Sequence, residues 1–353
     1  MKDIKILGAG LSGLTAAINL AKRGYRVDVY EKRENVGMRF RGDIQGLENW
    51  SEKADILEQL REMNIDINFD CDPFSKVILT NCSKSKEVSS NRPLFYLVKR
   101  GSFSGTLDHS LKRQALKTGV NIHFQRTLLP TEANIVATGP TPREAMGVVR
   151  GIAFKTNLKD VAIAAFNEKL AFKGYSYLLV TKRYGCIGAV VRRDGIPRAR
   201  EYFENTKEFF VKHLNLHIQQ SNEIGGIGSF SLNNIQKGTT LYVGEAAGLQ
   251  DFLWGFGMRY AIISGYLAAQ SIISNEDYEK KAGRHFDSKL KAGVVNRYLM
   301  ENVLCKKDYS IFVDIAEFVK ESLYSMHNYN VVQRMVYPLA KLNLEKTYPE
   351  LKV

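Results

Sequence analysis

Cysteine is scarce in this 353-residue chain, and the four present, Cys71, Cys82, Cys186 and Cys305, form no CxxC pair and no metal-ligand spacing. That argues against a disulfide-framed fold or a thiolate metal centre, and for reduced thiols in a cytoplasmic protein with no bound metal. Long apolar runs are also missing. The best candidate for a span, residues 260–273, is broken by Ser264, Gly265 and Gln270, so no transmembrane helix is expected. The first twenty residues hold a glycine turn and lack the cleavage pattern of a signal peptide. No internal repeat, low-complexity tract or nucleic-acid-binding module with stacking aromatics is present, so no nucleic-acid partner is expected.

One charge sign is in excess: 50 basic against 37 acidic residues give a formal net charge of +13. Lys182, Arg183, Arg192, Arg193, Arg198 and Arg200 cluster locally, opposed only by Asp194. Peripheral attraction to an anionic membrane, a phosphorylated substrate, or a solvated basic face all fit this balance.

The N-terminus carries the most informative pattern. An apolar strand ends in Gly8-Ala9-Gly10-Leu11-Ser12-Gly13 and runs into a helix. A second apolar run, 27–30, ends in Glu31 and Lys32, with Glu31 eighteen residues past Gly13. This spacing predicts a dinucleotide-binding βαβ unit. Gly8 permits the tight turn, Gly10 lets the backbone approach a pyrophosphate, and Gly13 lets helix pack on strand. Amides at the helix N-terminus, among them those of Leu11 and Ser12, would hold phosphate, and Glu31 would accept from ribose hydroxyls. The unit alone does not choose between NAD(P) and FAD.

Beyond it, residues 34–50 read as glycine-punctuated and irregular, and 51–63 as helical. Strands are expected within 74–99 on either side of the polar run 81–92, then a helix near 105–117, a strand at 120–124 and another at 134–137. The stretch 150–232 reads as a sheet, with strands at 161–166, 175–181 and 186–192 and a helix near 206–213. A second strand and glycine turn follow at 241–248, then a long helix from Met258. The remainder is helical by periodicity, for example Ile311, Ile315, Phe318, Val319 and Leu323.

Three further segments extend the pattern. Val98-Lys99-Arg100-Gly101, followed by a helix and Val120, resembles the arginine–helix–strand unit of the p-hydroxybenzoate-hydroxylase-like flavoproteins. The run ending Ala137-Thr138-Gly139 resembles the strand end that closes over the nucleotide in two-dinucleotide-domain flavoproteins. Gly244-Glu245-Ala246-Ala247-Gly248, continuing through Asp251, Trp254, Gly255 and Gly257 to Met258, resembles the second FAD motif of the geranylgeranyl reductase family. Tyr175, Tyr177 and Gly188 lie where that family has its substrate-side strand pair. The resemblance covers the chain to about Ser274.

It implies an α/β fold: a Rossmann-like FAD-binding domain of the glutathione-reductase type 2 class, an inserted antiparallel-sheet substrate domain and a helical C-terminus. The FAD-binding parts would be 1–75, 100–150 and 233–275. Substrate-domain strands would occupy 76–99, the substrate sheet 151–232, and the helical region 276–353. FAD would contact Arg100, Val120, Ala137, Thr138, Gly139, Gly244, Glu245, Gly255, Gly257 and Met258, together with Arg41 and Gly42 in the loop 37–43. Tyr175, Tyr177, Asp251 and Trp254 would face substrate, with Asp43 a further acid in reach.

Departures from the family pattern are Glu245 for aspartate, Phe252 for proline, Arg41 where many relatives carry cysteine, and a shorter C-terminal region. The implied activity is saturation of isoprenoid double bonds, with hydride from reduced flavin and a separate proton donor. NAD(P)H or a protein reductant would supply electrons, although no second GxGxxG unit is present to hold NAD(P)H. A flavin monooxygenase and a non-catalytic flavoprotein, binding FAD structurally or carrying electrons to a partner, stay open as alternatives. So does a nicotinamide dehydrogenase, which would leave 244–258 unexplained.

Overall fold

The computed structural model describes residues 3–142, 145–231, 235–305, 308–314, 316 and 323–348. The chain opens with β1 (Asp3–Leu7), α1 (Leu11–Ala21) and β2 (Arg26–Glu31), then β3 (Ile44–Glu48), α2 (Ile56–Glu62), β4 (Cys71–Phe74), β5 (Lys76–Thr80), β6 (Ser85–Ser89) and β7 (Phe95–Lys99). Next come α3 (Leu107–Lys117), β8 (Asn121–Phe124), β9 (Ile135–Val136), β10 (Ala145–Lys155), β11 (Val161–Ala165), β12 (Tyr175–Thr181), β13 (Tyr184–Arg192) and α4 (Ala199–Leu214). The last third holds β14 (Gln219–Ser229), β15 (Gln236–Lys237), β16 (Thr240–Tyr242), α5 (Met258–Ser274), α6 (Tyr278–Leu299), α7 (Ser310–Asp314) and α8 (Val331–Thr347).

Three sheets organise these elements. A six-stranded sheet, ordered β15-β16-β9-β1-β2-β8, is parallel except for the β15–β16 pair. Leu11 to Leu20 of α1 are all buried, because the helix is packed against the sheet and against both α3 and α5. Close approach of α5 requires Gly265, where a Cβ would stand 2.1 Å from the Ser12 carbonyl oxygen.

A seven-stranded sheet, ordered β14-β10-β13-β12-β11-β5-β6, is antiparallel apart from β11 against β5. Its strand β12 shows period-two alternation. In β12, Ser176, Leu178 and Val180 are fully buried, and Leu178 and Val180 share a core with Tyr202, Phe203 and Phe210 of α4. Tyr175, Tyr177 and Leu179 face the other way, into a cavity. The three-stranded sheet β3-β7-β4 lies beside it, tied by the Ile44 amide donating to Cys186 Sγ at 3.1 Å. Among the described residues, no helix is long and apolar enough to cross a membrane.

Several expectations are corrected. The segment read as irregular contains β3, whose Gly46 is there for proximity: a Cβ would lie 2.7 Å from the Phe256 ring. The polar run 81–92 contains β6, an edge strand whose side chains are mostly solvated. The helix expected near 206–213 begins at Ala199. Ile315, Phe318 and Val319 fall outside the described residues.

Candidate functional site

The glycine turn is dictated by crowding. Gly8 adopts φ +105°, and a Cβ there would stand 2.3 Å from the Ala137 carbonyl oxygen at the end of β9. Gly13 is equally constrained, since its Cβ would meet the Gly8 oxygen at 2.1 Å. Gly10 is different: its nearest neighbour in that direction is 3.9 Å away, so its backbone faces open space. It is also the N-cap of α1, with no side-chain cap and no acidic residue in the first turn. The first-turn amides are therefore available to an anion. Glu31, at the end of β2, accepts from the Ala9 amide at 3.0 Å and from the Arg33 amide at 3.0 Å. Lys32 and Thr127 line the cavity at this end as well.

Two arginines stand in the middle of the site. Arg100 is buried, and its Nε and Nη2 each donate to the Asp108 carboxylate at 2.8 Å, while Nη1 donates to Gln45 at 3.0 Å. The Phe40 ring lies 4.1 Å from the Arg100 guanidinium carbon. This arginine is neutralised by Asp108 and holds the loop in shape. Arg39 is the less committed cation: it reaches Glu245 at 3.6 Å and lines the cavity. Burial raises the Glu245 carboxyl above its usual range, against the pull of Arg39 and Arg100.

The 244–258 segment closes the far side. Gly244 has φ +60°, and a Cβ there would lie 2.9 Å from Ser12 Oγ, so this glycine lets the turn sit on the N-terminus of α1. Asp251 accepts from the Leu253 amide at 3.1 Å and the Trp254 amide at 2.9 Å, which folds the loop; burial raises its carboxyl. Gly257 is the N-cap of α5, again without a side-chain cap or an acid in the first turn. Two helix N-termini thus open on one cavity, and each favours negative charge.

Above this lies an apolar chamber. Tyr175 donates to the Trp254 carbonyl at 2.6 Å, and burial pushes its hydroxyl pKa up. Tyr177, whose pKa burial also raises, donates to no described residue. Its ring is admitted by Gly188, where a Cβ would be 2.5 Å away. Phe166 packs against Trp254 at 5.5 Å and Phe312 at 4.9 Å between ring centroids. The cavity measures about 720 Å³ and runs from the glycine turn to these rings.

The structure brings onto the cavity wall Gly8, Gly10, Leu11, Ser12, Glu31, Lys32, Arg100, Ala137, Thr138, Gly139, Glu245, Gly255, Gly257, Met258, Tyr175, Tyr177, Asp251 and Trp254. Gly13, Gly42 and Gly244 stand behind it as packing and turn residues. Arg41 points to solvent, its amide donating to Asp43. Val120 is buried away from the wall with its amide committed to the Ala115 carbonyl; Thr127, further along, is the residue of that segment that reaches the cavity.

Arg192, counted with the basic surface from sequence, is instead buried in the wall. It donates to Tyr348 at 3.1 Å and shares Glu301 with Arg297. No local sequence pattern marks that grouping. Arg39 was within reach of sequence reading, two residues from Arg41 in the loop singled out.

A family model described as an NAD(P)-binding Rossmann-like domain matches residues 6–46. Thiamine thiazole synthase of Thermotoga maritima is 35% identical over 102 residues, which cover 25% of this chain and 38% of that protein. The chain therefore matches little more than a third of that relative's length. Among solved structures, a geranylgeranyl bacteriochlorophyll reductase-like protein from Thermoplasma acidophilum superposes with a TM-score of 0.68 at 19% identity. That match covers 99% of this chain and 97% of that one. A flavin-dependent brominase gives 0.65 at 15% identity, with 99% of each chain covered.

The class defined by fold and site is a Rossmann-type nucleotide-binding protein with an added antiparallel sheet. Its architecture along nearly the whole chain is the one found in those reductase-like and halogenating flavoproteins.

Proposed function

We propose that this chain is an FAD-dependent oxidoreductase that reduces carbon–carbon double bonds of an isoprenoid or comparable apolar substrate. One observation carries the reading: a single cavity joins a nucleotide-binding glycine turn to an aromatic chamber across a second open helix N-terminus. A nicotinamide dehydrogenase needs only the first of these. The residues present fit FAD. Gly10 and Gly255 face open space, each with its nearest neighbour 3.9 Å from an added Cβ, and Arg39 is a cation with one long ion pair.

In this reading the first-turn amides of α1 hold the pyrophosphate, and Glu31 accepts from the adenosine ribose. Arg39 and Glu245 attend the middle of the cofactor. Gly255, Gly257 and Met258 present amides and a helix dipole to the ring system. Bound FAD supplies hydride chemistry that side chains cannot. The chain's own part is to exclude water, align the alkene and deliver a proton. Phe166, Phe312 and Trp254 do the first. Tyr177 holds a proton at Oη, and Tyr175 positions the Trp254 loop. Electrons come from NAD(P)H or a protein reductant. The segments 1–75, 100–150 and 233–275 form the FAD-binding part, with 76–99 and 151–232 on the substrate side and 276–353 closing it.

A hydroxylating or halogenating reading has its own support, because the brominase and a 2-methyl-3-hydroxypyridine-5-carboxylic acid oxygenase also share the fold. The test is anaerobic. Purified protein is expected to carry or take up FAD, and once reduced by dithionite to be reoxidised by a polyprenyl alkene, yielding a product two hydrogens heavier. Failure to bind FAD overturns the proposal. Rapid NADPH-driven oxygen consumption stimulated by an aromatic compound, with no alkene saturation, replaces it with the hydroxylase reading.

A further inference from the structure

The C-terminal helix is amphipathic in an unusual sense: it has two apolar faces and only one is covered. Gln333, Ala340 and Leu344 are buried on the side turned to the protein, where α8 packs on α6. At 3.6 residues per turn, Val331, Met335, Leu339 and Leu342 fall on one stripe roughly opposite, with Val332 at its edge. Those five are 71%, 79%, 55%, 65% and 65% exposed in that order. A lone exposed leucine means little, but a contiguous stripe of this kind marks an interaction surface.

Charge selects the occupant. From residue 323 to 348 the only acid is Glu345, which pairs with Lys341 at 3.7 Å. Arg334 and Lys346 add further positive charge beside the stripe, on a chain of net charge +13. A second copy of this chain would bring like charges together at that face, whereas an anionic headgroup layer attracts them and takes up the apolar stripe beneath. A helix of 17 residues is about 25 Å long and does not span, so it lies in the plane of the surface. The position also suits the chamber. Leu323 and Phe312 line the cavity, while their chain neighbours Tyr324 and Ile311 are 40% and 41% exposed.

We infer that α8 docks this protein on anionic lipid bilayers through Val331, Met335, Leu339 and Leu342, with Arg334, Lys341 and Lys346 contacting headgroups. The inference rests on the helix alone and stands or falls independently of the flavin reading. The experiment is co-sedimentation with phosphatidylcholine vesicles, either pure or containing about one-third phosphatidylglycerol. Wild-type protein is expected to pellet with the anionic vesicles only, and to be released by about 0.5 M salt in part. The triple variant Met335→Glu, Leu339→Glu, Leu342→Glu is expected to bind about tenfold more weakly with an unchanged melting temperature.

Should that variant melt early, Arg334→Gln with Lys346→Gln decides, and is expected to bind several-fold more weakly. The proposal is overturned if wild-type protein ignores anionic vesicles, or if the variants bind as wild type does. It is equally overturned if sedimentation equilibrium shows a dimer that the triple variant dissolves, because the stripe then belongs to a second copy.

Discussion

The Arg39 guanidinium lies 3.6 Å from the Glu245 carboxylate, joining the loop after β2 to the turn after β16 at the middle of the cavity. The acid is the more buried partner, with side-chain exposures of 38% for Arg39 and 15% for Glu245. Arg39→Met removes the cation that faces Glu245 across the cavity wall. It is expected to weaken FAD binding about tenfold, read by fluorescence titration of the apoprotein, with little change in apoprotein melting.

Glu245 itself gives a pH-dependent prediction. Its folded pKa is raised above 4.5 by burial, so the native state binds the proton more tightly than the unfolded chain. Stability from this group is therefore present below 4.5 and lost as pH rises through the folded value. Glu245→Gln is expected to stabilise the apoprotein at pH 7, the gain vanishing near pH 4. An equal gain at both pH values in thermal melts would remove the titration explanation.

His285 works in the opposite direction. Burial, then Lys289, lowers its pKa from 6.5 to about 4, with Glu52 pulling the other way. The unfolded chain binds the proton first, so stability falls as pH drops from 6.5 towards 4. His285→Gln is expected to flatten that limb by up to about 3 kcal/mol, measured by urea unfolding at a series of pH values.

Gly13→Ala places a methyl 2.1 Å from the Gly8 carbonyl oxygen, between rigid backbone segments. A loss of about 3 kcal/mol or more is expected. Gly24→Ala is the control: φ is +81° but nothing lies within 4 Å, so only backbone strain of about 1 kcal/mol applies.

Tyr177→Phe removes a hydroxyl that no described residue engages, so folding should be indifferent to it. Turnover of the alkene is expected to fall about a hundredfold with KM nearly unchanged. Tyr175→Phe breaks the bond to the Trp254 carbonyl and is expected to raise KM, with a stability cost of about 1 kcal/mol. If the two variants behave alike in kcat and KM, neither role survives.

Much of the nucleotide half was legible because its residues are demanded by local sterics. Gly8 and Gly13 have no alternative where a Cβ would sit 2.3 Å or 2.1 Å from backbone oxygen, and such positions leave a spacing in the sequence. Gly46 defeated the same reasoning, since its reason for being glycine, the Phe256 ring, lies far along the chain. β14 was equally hidden: Gln219 to Ser229 has neither a run nor an alternation of apolar residues, and is held as a strand by pairing with β10. The grouping of Arg192, Arg297 and Glu301 is purely tertiary, and single-sequence spacing carries no trace of it.

The strand order of the parallel sheet has a consequence for synthesis. β9 sits between β1 and β16, so one of its edges has no partner until residues 240–242 leave the ribosome. At about 5–20 residues per second, that interval lasts roughly 5–20 s. During it the growing chain displays an open strand edge and the uncovered face of α1 that α5 later occupies. Truncated translation products ending before β16 would keep that strand edge and that helix face exposed.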